Sequence, residues 1–272
     1  MAAINKPEFK HSPIGQIPFE WEVKSLHSIA SVKTGPFGAQ LHESDYVQTG
    51  TPIITVEHLS EQGILHKNLP LISDYDKERL RQYVLKTNDI VFSRVGSVDR
   101  NSLVRETENG WLFSGRLLRV RPTSEIDSSY LSFYFHYEPF KQHIRSIAVG
   151  QTMASLNTEL LSNVAIPLPP MVEQLGISKL LNVWDKAIEK TTQLITAKEK
   201  RKKWLMQQLL TGKKRLKGFK DDWRISNFDD CFEIIKSYSI SRDGLSRDLN
   251  DSSTYCIHYG DIHALYETNF LD

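Results

Sequence analysis

Short apolar runs, rich in β-branched residues and broken by glycine, proline, asparagine and aspartate, fill most of residues 18–165. Pro52-Ile53-Ile54-Thr55-Val56, Asp89-Ile90-Val91-Phe92-Ser93, Trp111-Leu112-Phe113 and Leu117-Leu118-Arg119-Val120 read as strands. Their separation by turn residues predicts a sheet-rich domain. Two stretches switch to the helical period: residues 73–85, opening on Asp74-Tyr75-Asp76, and residues 129–147, carrying Tyr130, Leu131, Phe133, Tyr134 and Phe140. Pro139 is expected to kink or divide the second, because its ring removes a donor and clashes with the preceding turn.

The pattern changes at Ile166-Pro167-Leu168-Pro169-Pro170. Each proline fixes its own φ and pushes its predecessor away from helix, so an extended linker at a domain boundary is expected. From Met171 the apolar period becomes that of one long helix. Pro170 lies near its first turn, Glu173 at the positive end of its dipole, and Gly212 supplies the stop. About forty residues at 1.5 Å each make a rod of roughly 60 Å. Leu181, Trp184, Ile188, Thr191, Ile195, Lys198, Lys202, Leu205 and Leu209 follow 3-4 spacing along it. The apolar six, Leu181, Trp184, Ile188, Ile195, Leu205 and Leu209, form the predicted helix–helix interface, because such a helix gains most of its stability by burying its stripe. Its partner is either the equivalent helix of a second copy or the same helix of another molecule in a homodimer.

A duplication flanks that helix. Trp21-x-Val23-x-x-Leu26 returns as Trp223-x-Ile225-x-x-Phe228, 202 residues later. Like globular units hung on a helix form a spacer architecture, presenting similar surfaces at a set separation. The second unit is expected to be a fragment. Residues 226–272 hold too few strands to complete a sheet and are expected to be poorly ordered or supported by something else.

Composition narrows the class. The 272 residues, 40% hydrophobic and 25% charged, suffice for one complete soluble domain of roughly 150 residues. No apolar stretch of about 20 residues occurs and no apolar run follows the N-terminal lysines, so neither a membrane span nor a signal peptide is expected, and a cytoplasmic location is. Cys231 and Cys256 lack ligand or disulfide spacing and read as buried thiols. The net charge of +1 hides an asymmetry: residues 198–220 hold ten Lys/Arg against Glu199 alone, a local +9 that leaves −8 elsewhere. Such a strip suits phosphates or an acidic partner.

Catalytic patterns are absent. Thr211-Gly212-Lys213-Lys214 lacks the first glycine of a phosphate loop and has lysine where Ser or Thr would hold magnesium. No HExxH pair, GxSxG elbow, dinucleotide fingerprint or Asn/Asp-Pro-Pro-aromatic methyltransfer motif occurs. The expectation is no catalytic residue, no metal and no cofactor. What stands out instead is a set of glycine-bearing polar loops beside the strands. Lys33, Thr34, Phe37 and Gln40 lie in the first; Ser93, Arg94, Ser97 and Arg100 in the second; Ser114 and Arg116 in the third; Gln151 and Thr152 in the fourth. Glycine lets a backbone approach a ligand, Arg and Gln match the edges of guanine and adenine, and Ser, Thr and Lys suit phosphates. These twelve residues are the candidate contacts to double-stranded DNA, simple turn formation being the alternative role of each loop.

Several segments together resemble the specificity subunit of type I restriction-modification systems: Ile17-Pro18-x-x-Trp21, Thr34-Gly35-Pro36-Phe37-Gly38, the run from Asn88 to Val98, Met153-Ala154-Ser155-Leu156-Asn157, Ile166-Pro167-Leu168-Pro169-Pro170-x-x-Glu173-Gln174, the run from Leu209 to Leu216, and Gly218-Phe219-x-x-x-Trp223. The resemblance implies an α+β chain with a sheet-rich target recognition domain at residues 1–166. A linker and long conserved spacer helix follow at 167–217, then the N-terminal fragment of a second target recognition domain at 218–272. It implies a non-catalytic subunit that addresses a split DNA site. Modification subunits would bring S-adenosylmethionine for adenine methylation, and restriction subunits ATP and magnesium for translocation and cleavage. Asp99 stands where many relatives have glycine, which weakens the case for Arg100 as a DNA contact. A coiled-coil interaction scaffold, or a detached specificity segment of a fused restriction–methyltransferase, are the alternatives.

Overall fold

In the computed structural model, which describes residues 8–37, 40–150 and 154–235, the chain opens on a hairpin of β1 (Phe9–Ser12) and β2 (Gly15–Pro18). β3 (Glu22–Ser25), a helical turn α1 (Leu26–Ile29) and β4 (Ala30–Thr34) follow. Next come the short strands β5 (Tyr46–Val47), β6 (Thr51–Ile54), β7 (Leu59–Ser60), β8 (Gly63–Ile64) and β9 (Leu71–Ile72). Helix α2 (Asp74–Arg79) precedes β10 (Ile90–Ser93), β11 (Asn101–Leu103), β12 (Leu112–Phe113) and β13 (Leu117–Pro122). Helices α3 (Ser128–His136), α4 (Glu138–Ile147) and α5 (Thr158–Ser162) lead to β14 (Ala165–Leu168), the long helix α6 (Met171–Leu209) and a last turn, α7 (Phe228–Cys231). The chain divides into two compact units, residues 1–203 and 204–272.

Two four-stranded sheets form the centre of the first unit, an antiparallel one in the order β11-β10-β13-β4 and a mixed one in the order β12-β6-β9-β5 with β12 parallel to β6, and the two-stranded pairs β1-β2, β14-β3 and β7-β8 accompany them. β10 and β13 are buried on both faces, which is why they read as unbroken apolar runs rather than alternating ones. Ile90, Phe92, Leu118 and Val120 join Leu131, Phe135 and Ile144 in one core cluster. Val91 and Leu117, pointing the other way, join Ile53, Ile54, Leu112 and Phe113 in a second. In the first cluster the Phe135 ring lies 5.0 Å from both Phe92 and Phe140, edge-on to one and stacked on the other. Each such fully buried side chain contributes about 1.5–3 kcal/mol.

The helical expectations hold in kind and change in extent. Pro139 divides the stretch at 129–147: α3 ends at His136 and the proline sits in the first turn of α4, where its missing N–H has no intrahelical partner to lose. The stretch at 73–85 starts as expected, with Ser73 accepting from the Asp76 amide at 3.1 Å, but stops at Arg79. A 3-10 turn at Arg81–Tyr83 replaces the rest, because Tyr83 and Leu85 turn into the second cluster and the Leu85 amide donates to the Trp111 carbonyl at 2.8 Å. β6 ends at Ile54, and Val56 starts a 3-10 turn capped by Thr55.

The segment expected as a linker is extended, as its prolines require, yet it is no free linker. β14 pairs with β3 in antiparallel register, Pro167 opposite Val23, and Ile166, Pro167 and Leu168 are buried. The start of α6 is fastened to the same unit by polar contacts. Gln174, 1% exposed, accepts from the Asp127 amide at 2.8 Å and donates to the Pro169 carbonyl at 2.9 Å. The Ser178 hydroxyl donates to the Asp127 carboxylate, which also caps α3 through the Tyr130 amide. Trp21 adds a bond from its indole nitrogen to Glu173 at 2.9 Å.

Farther along α6 the expected seam is uncovered in the single chain: Leu181, Trp184, Ile188 and Ile195 are exposed, Leu205 and Leu209 partly so. The duplicated motif plays the same local part in each unit, its last apolar residue opening a four-residue helix, Leu26 for α1 and Phe228 for α7. Cys231 corrects an expectation: it is exposed, because the short α7 has no buried residue. Cys256 and most of the segment expected to be poorly ordered lie outside the described residues. No described helix is long and apolar enough to cross a membrane.

His136, at the end of α3, donates through Nε2 to the Asn101 carbonyl at 3.2 Å, and burial pushes its pKa below the ordinary 6.5. A depressed imidazole is neutral in the fold and charges more readily in the unfolded chain. Its contribution is therefore complete above pH 6.5 and is lost as pH falls through the lower folded value. Urea unfolding at pH 7.5 and 5.0 should show His136→Gln losing less stability on acidification than the parent; an equal loss in both proteins would refute the assignment.

Candidate nucleic-acid interface

Backbone contact between two loops sets the geometry of the candidate site. The turn after β4 and the turn between β12 and β13 lie so close that a Cβ on Gly35 would stand 2.1 Å from the Ser114 carbonyl oxygen, and one on Gly115 would stand 2.2 Å from that of Pro36. Only glycine fits either position. The Gly35 amide donates to the Leu117 carbonyl at 3.1 Å and the Ser114 amide to that of Ile54 at 2.9 Å, so both turns are anchored to strand ends. The third loop, after β10, joins them through the Arg94 amide, which donates to the Arg116 carbonyl at 2.9 Å.

These turns wall a groove of about 1170 Å3. Phe37, Arg94, Ser114 and Arg116 enter it from three separate places in the chain. The Arg94 guanidinium lies 4.3 Å from the centroid of the Phe37 ring, itself 45% exposed, so the arginine is stacked and aimed rather than free to wander. Its Nη1 also approaches the Gly115 carbonyl at 3.5 Å. Arg116 is exposed.

Other lining segments of the groove carry no such signal in the sequence. Tyr46, Val47 and Gln48, then Thr55 to Glu57, then Asn68 to Leu71 complete the lining. His58, 2% exposed, ties two of these segments together: Nδ1 accepts from the Thr55 amide at 3.0 Å and Nε2 donates to the Lys67 carbonyl at 3.1 Å. The signals they do carry are Thr55-x-x-His58 as a cap and the turn at Asn68, whose φ of 54° lies in the left-handed region. Among the described lining residues Glu57 is the carboxylate, an acceptor in the groove that Arg94 and Arg116 also line.

Beside the groove, on the face of the antiparallel sheet that carries Leu117, a row of cations extends from β4 to β13. Lys33 stands opposite Arg119 in the register, donates to the Gln82 side-chain oxygen at 2.9 Å, and lies 5.0 Å over the Tyr83 ring. Tyr83 in turn donates to the Gln40 side-chain oxygen at 2.9 Å, and the Phe37 amide reaches that same oxygen at 3.4 Å, so this row and the groove share a brace. Burial, then repulsion from Arg119 and Arg121, holds the Lys33 amine below its usual value. Arg121 goes the other way, because it grips Asp89 with paired bonds of 2.7 Å.

The expected contact residues therefore separate. Phe37, Arg94, Ser114 and Arg116 meet in the groove, and Lys33 and Gln40 lie beside it. Thr34 ends β4 with its hydroxyl buried and, among the described residues, without a hydrogen-bond partner, as is the Ser114 hydroxyl. Ser97 is exposed on the loop that follows Arg94. Two expected residues stand apart from the groove lining. Ser93 is fully buried, because it is the last residue of β10 and its hydroxyl donates to the Val95 carbonyl at 3.1 Å; it shapes the loop from inside. Arg100 turns away to donate to the Leu59 carbonyl, while Asp99 beside it pairs with Arg145. It lines a different cavity, of about 220 Å3, with Glu61, His136 and Lys141. Gln151 and Thr152 lie outside the described residues. The positions around them, Val149 and Ser155, pair with each other, and Ser155 pairs with Val95.

The family model for the type I restriction modification DNA specificity domain matches residues 18–199, and the chain belongs to that family. A putative type I restriction enzyme MjaX specificity subunit of Methanocaldococcus jannaschii is 31% identical over 249 residues, which are 85% of this chain and 57% of that protein. The MjaVIII specificity subunit of the same organism is 27% identical over 215 residues, 77% of this chain and 50% of the relative. The chain thus spans about half the length of the curated relatives it matches. Among solved structures, the S subunit of a type I restriction-modification system from M. genitalium aligns with a TM-score of 0.51 at 16% identity, covering 69% of this chain and 45% of the other. That likeness concerns the fold: mixed α+β, with sheets and a long helix.

Two glycine substitutions should separate the loop contact from ordinary backbone effects. Gly35→Ala forces the Ser114 turn to move and should cost about 1–3 kcal/mol. Gly176→Ala, within α6 with nothing inside 4 Å of the added carbon, should gain about 0.5–1 kcal/mol. Chemical denaturation of both variants checks the pair, and equal effects would refute the close approach.

Proposed function

We propose that the chain is the DNA-addressing part of a type I restriction-modification complex: it reads one portion of a split site and leaves bond-making to other polypeptides. The observation that carries this reading is the convergence of Arg94, stacked on Phe37, with Arg116 in one open groove. Guanidinium groups at such a wall suit the paired acceptors on a guanine edge, and Glu57 suits the amino donor of cytosine. Lys33, Thr34, Gln40, Ser97 and Ser114 supply phosphate or supporting contacts, and Gln151 and Thr152 complete the proposed set. In this reading residues 1–166 form the target recognition domain, 167–217 the linker and spacer helix, and 218–272 the start of a second recognition domain.

The exposed stripe of Leu181, Trp184, Ile188 and Ile195 supports a helix partner, continued by Leu205 and Leu209, either in a homodimer or within an assembly. The subunit itself is non-catalytic and needs no cofactor. Modification subunits bring S-adenosylmethionine, restriction subunits bring ATP and magnesium, and the complex works on double-stranded DNA in the cytoplasm.

Arg94→Ala should weaken binding to the cognate half-site by about 1–3 kcal/mol relative to random duplex. Once the modified motif is known from a methylome comparison, fluorescence anisotropy with cognate and scrambled oligonucleotides measures the difference. An equal loss on both sequences would remove Arg94 from base reading.

A further inference from the structure

We propose that Lys33 and Arg119, with Arg121 beside them, form a seat for one phosphate group next to the groove, built to take a diester of the DNA backbone. The inference deepens the DNA reading above and rests on it. Arg119 is 7% exposed, yet among the described residues its Nε has no hydrogen-bond partner and its Nη1 reaches only the Gln82 carbonyl, at 3.5 Å. A desolvated guanidinium so poorly satisfied is costly, and the usual remedy, a carboxylate, is already taken: Asp89 is engaged by both arms of Arg121. Lys33 stands opposite Arg119 across the β4–β13 pairing and adds a second cation where one already lacks a counter-charge.

A buried arginine beside a lysine, with the nearby Asp89 carboxylate spent on Arg121, is the arrangement an anion completes. The cover is light. Lys33 is held by the side chain of Gln82, an exposed residue, and by the face of the Tyr83 ring. An entering phosphate oxygen has only to displace the Gln82 amide to reach the amine and approach the guanidinium. Phosphate suits the pair because both donors are charged and a guanidinium binds two of its oxygens at once. The brace from Tyr83 through Gln40 to the Phe37 amide then couples backbone seating to the position of the groove loop. A phosphate contact of this kind positions the duplex and carries no sequence information.

The test uses the full chain and two variants, Lys33→Met and Arg119→Met, the first keeping the assay interpretable should the second fail to fold. Duplex affinity is measured over a salt series on cognate and random sequences. In parallel, thermal melting is followed with inorganic phosphate or chloride at matched ionic strength. The expected result is a salt slope smaller by about one in each variant, with affinity lost by the same factor on both sequences. Unchanged slopes overturn the backbone assignment. If inorganic phosphate stabilises the parent but not Lys33→Met while slopes stay fixed, the seat takes the free anion, and the DNA part of the proposal falls. No stabilisation together with unchanged slopes rules out the seat entirely. A parent that binds no duplex at any salt defeats the DNA reading instead, and the melting arm alone then decides whether a phosphate seat exists.

Discussion

Two strands buried on both faces, Ile90–Ser93 and Leu117–Pro122, hold the first unit together. Each lies between two apolar clusters, so neither can slip by one residue without turning both clusters inside out. That rigidity has a local consequence. Arg94 leaves the end of one strand and Arg116 precedes the start of the other, so the two guanidinium groups issue from the least deformable part of the unit. The loops that carry them need not be long or rigid in themselves, because their ends are fixed by the sheet.

Polar groups supply precision at two further points. Asp127 caps α3, receives Ser178 and lies against Gln174, so one carboxylate joins the helical layer of the domain to the first turns of α6. Gly35 and Gly115 perform the equivalent task at the groove by removing side chains, allowing backbone to lie on backbone. Both devices act on orientation more than on net stability. They suit a subunit whose proposed work is to hold a reading surface at a set angle and distance from others.

Much of the candidate site was legible because it is carried by residues with few alternative uses. Glycine beside proline and an aromatic in Thr34-Gly35-Pro36-Phe37, and arginine after an apolar strand in Phe92-Ser93-Arg94, mark turns with donors at their tips. The reading failed where the same composition has two meanings. Ser93 and Arg100 look like loop donors, but β10 is buried on both faces, Ser93 included, and the Asp99–Arg145 pair accompanies an Arg100 turned toward Leu59. Ile166-Pro167-Leu168 looks like a linker, since proline is extended whether free or paired, and only the presence of β3 made it a buried strand. The lining drawn from Tyr46 to Leu71 was unreadable as a site because its members are ordinary strand and turn residues until the fold brings them into one groove with Arg94.

Local chemistry alone therefore determined the sheet-rich domain, the long helix with its apolar stripe, the break at Pro139, the glycine turns and the family to which they point. These follow from dihedral limits and from the period of apolar residues, which neighbours along the chain already specify. Tertiary structure decided which donors face outward, which strand receives Pro167, and that Lys33 and Arg119 lie side by side with Asp89 already committed to Arg121. Charge balance inside a fold depends on residues far apart in sequence, here across 86 positions from Lys33 to Arg119, and no local pattern records it.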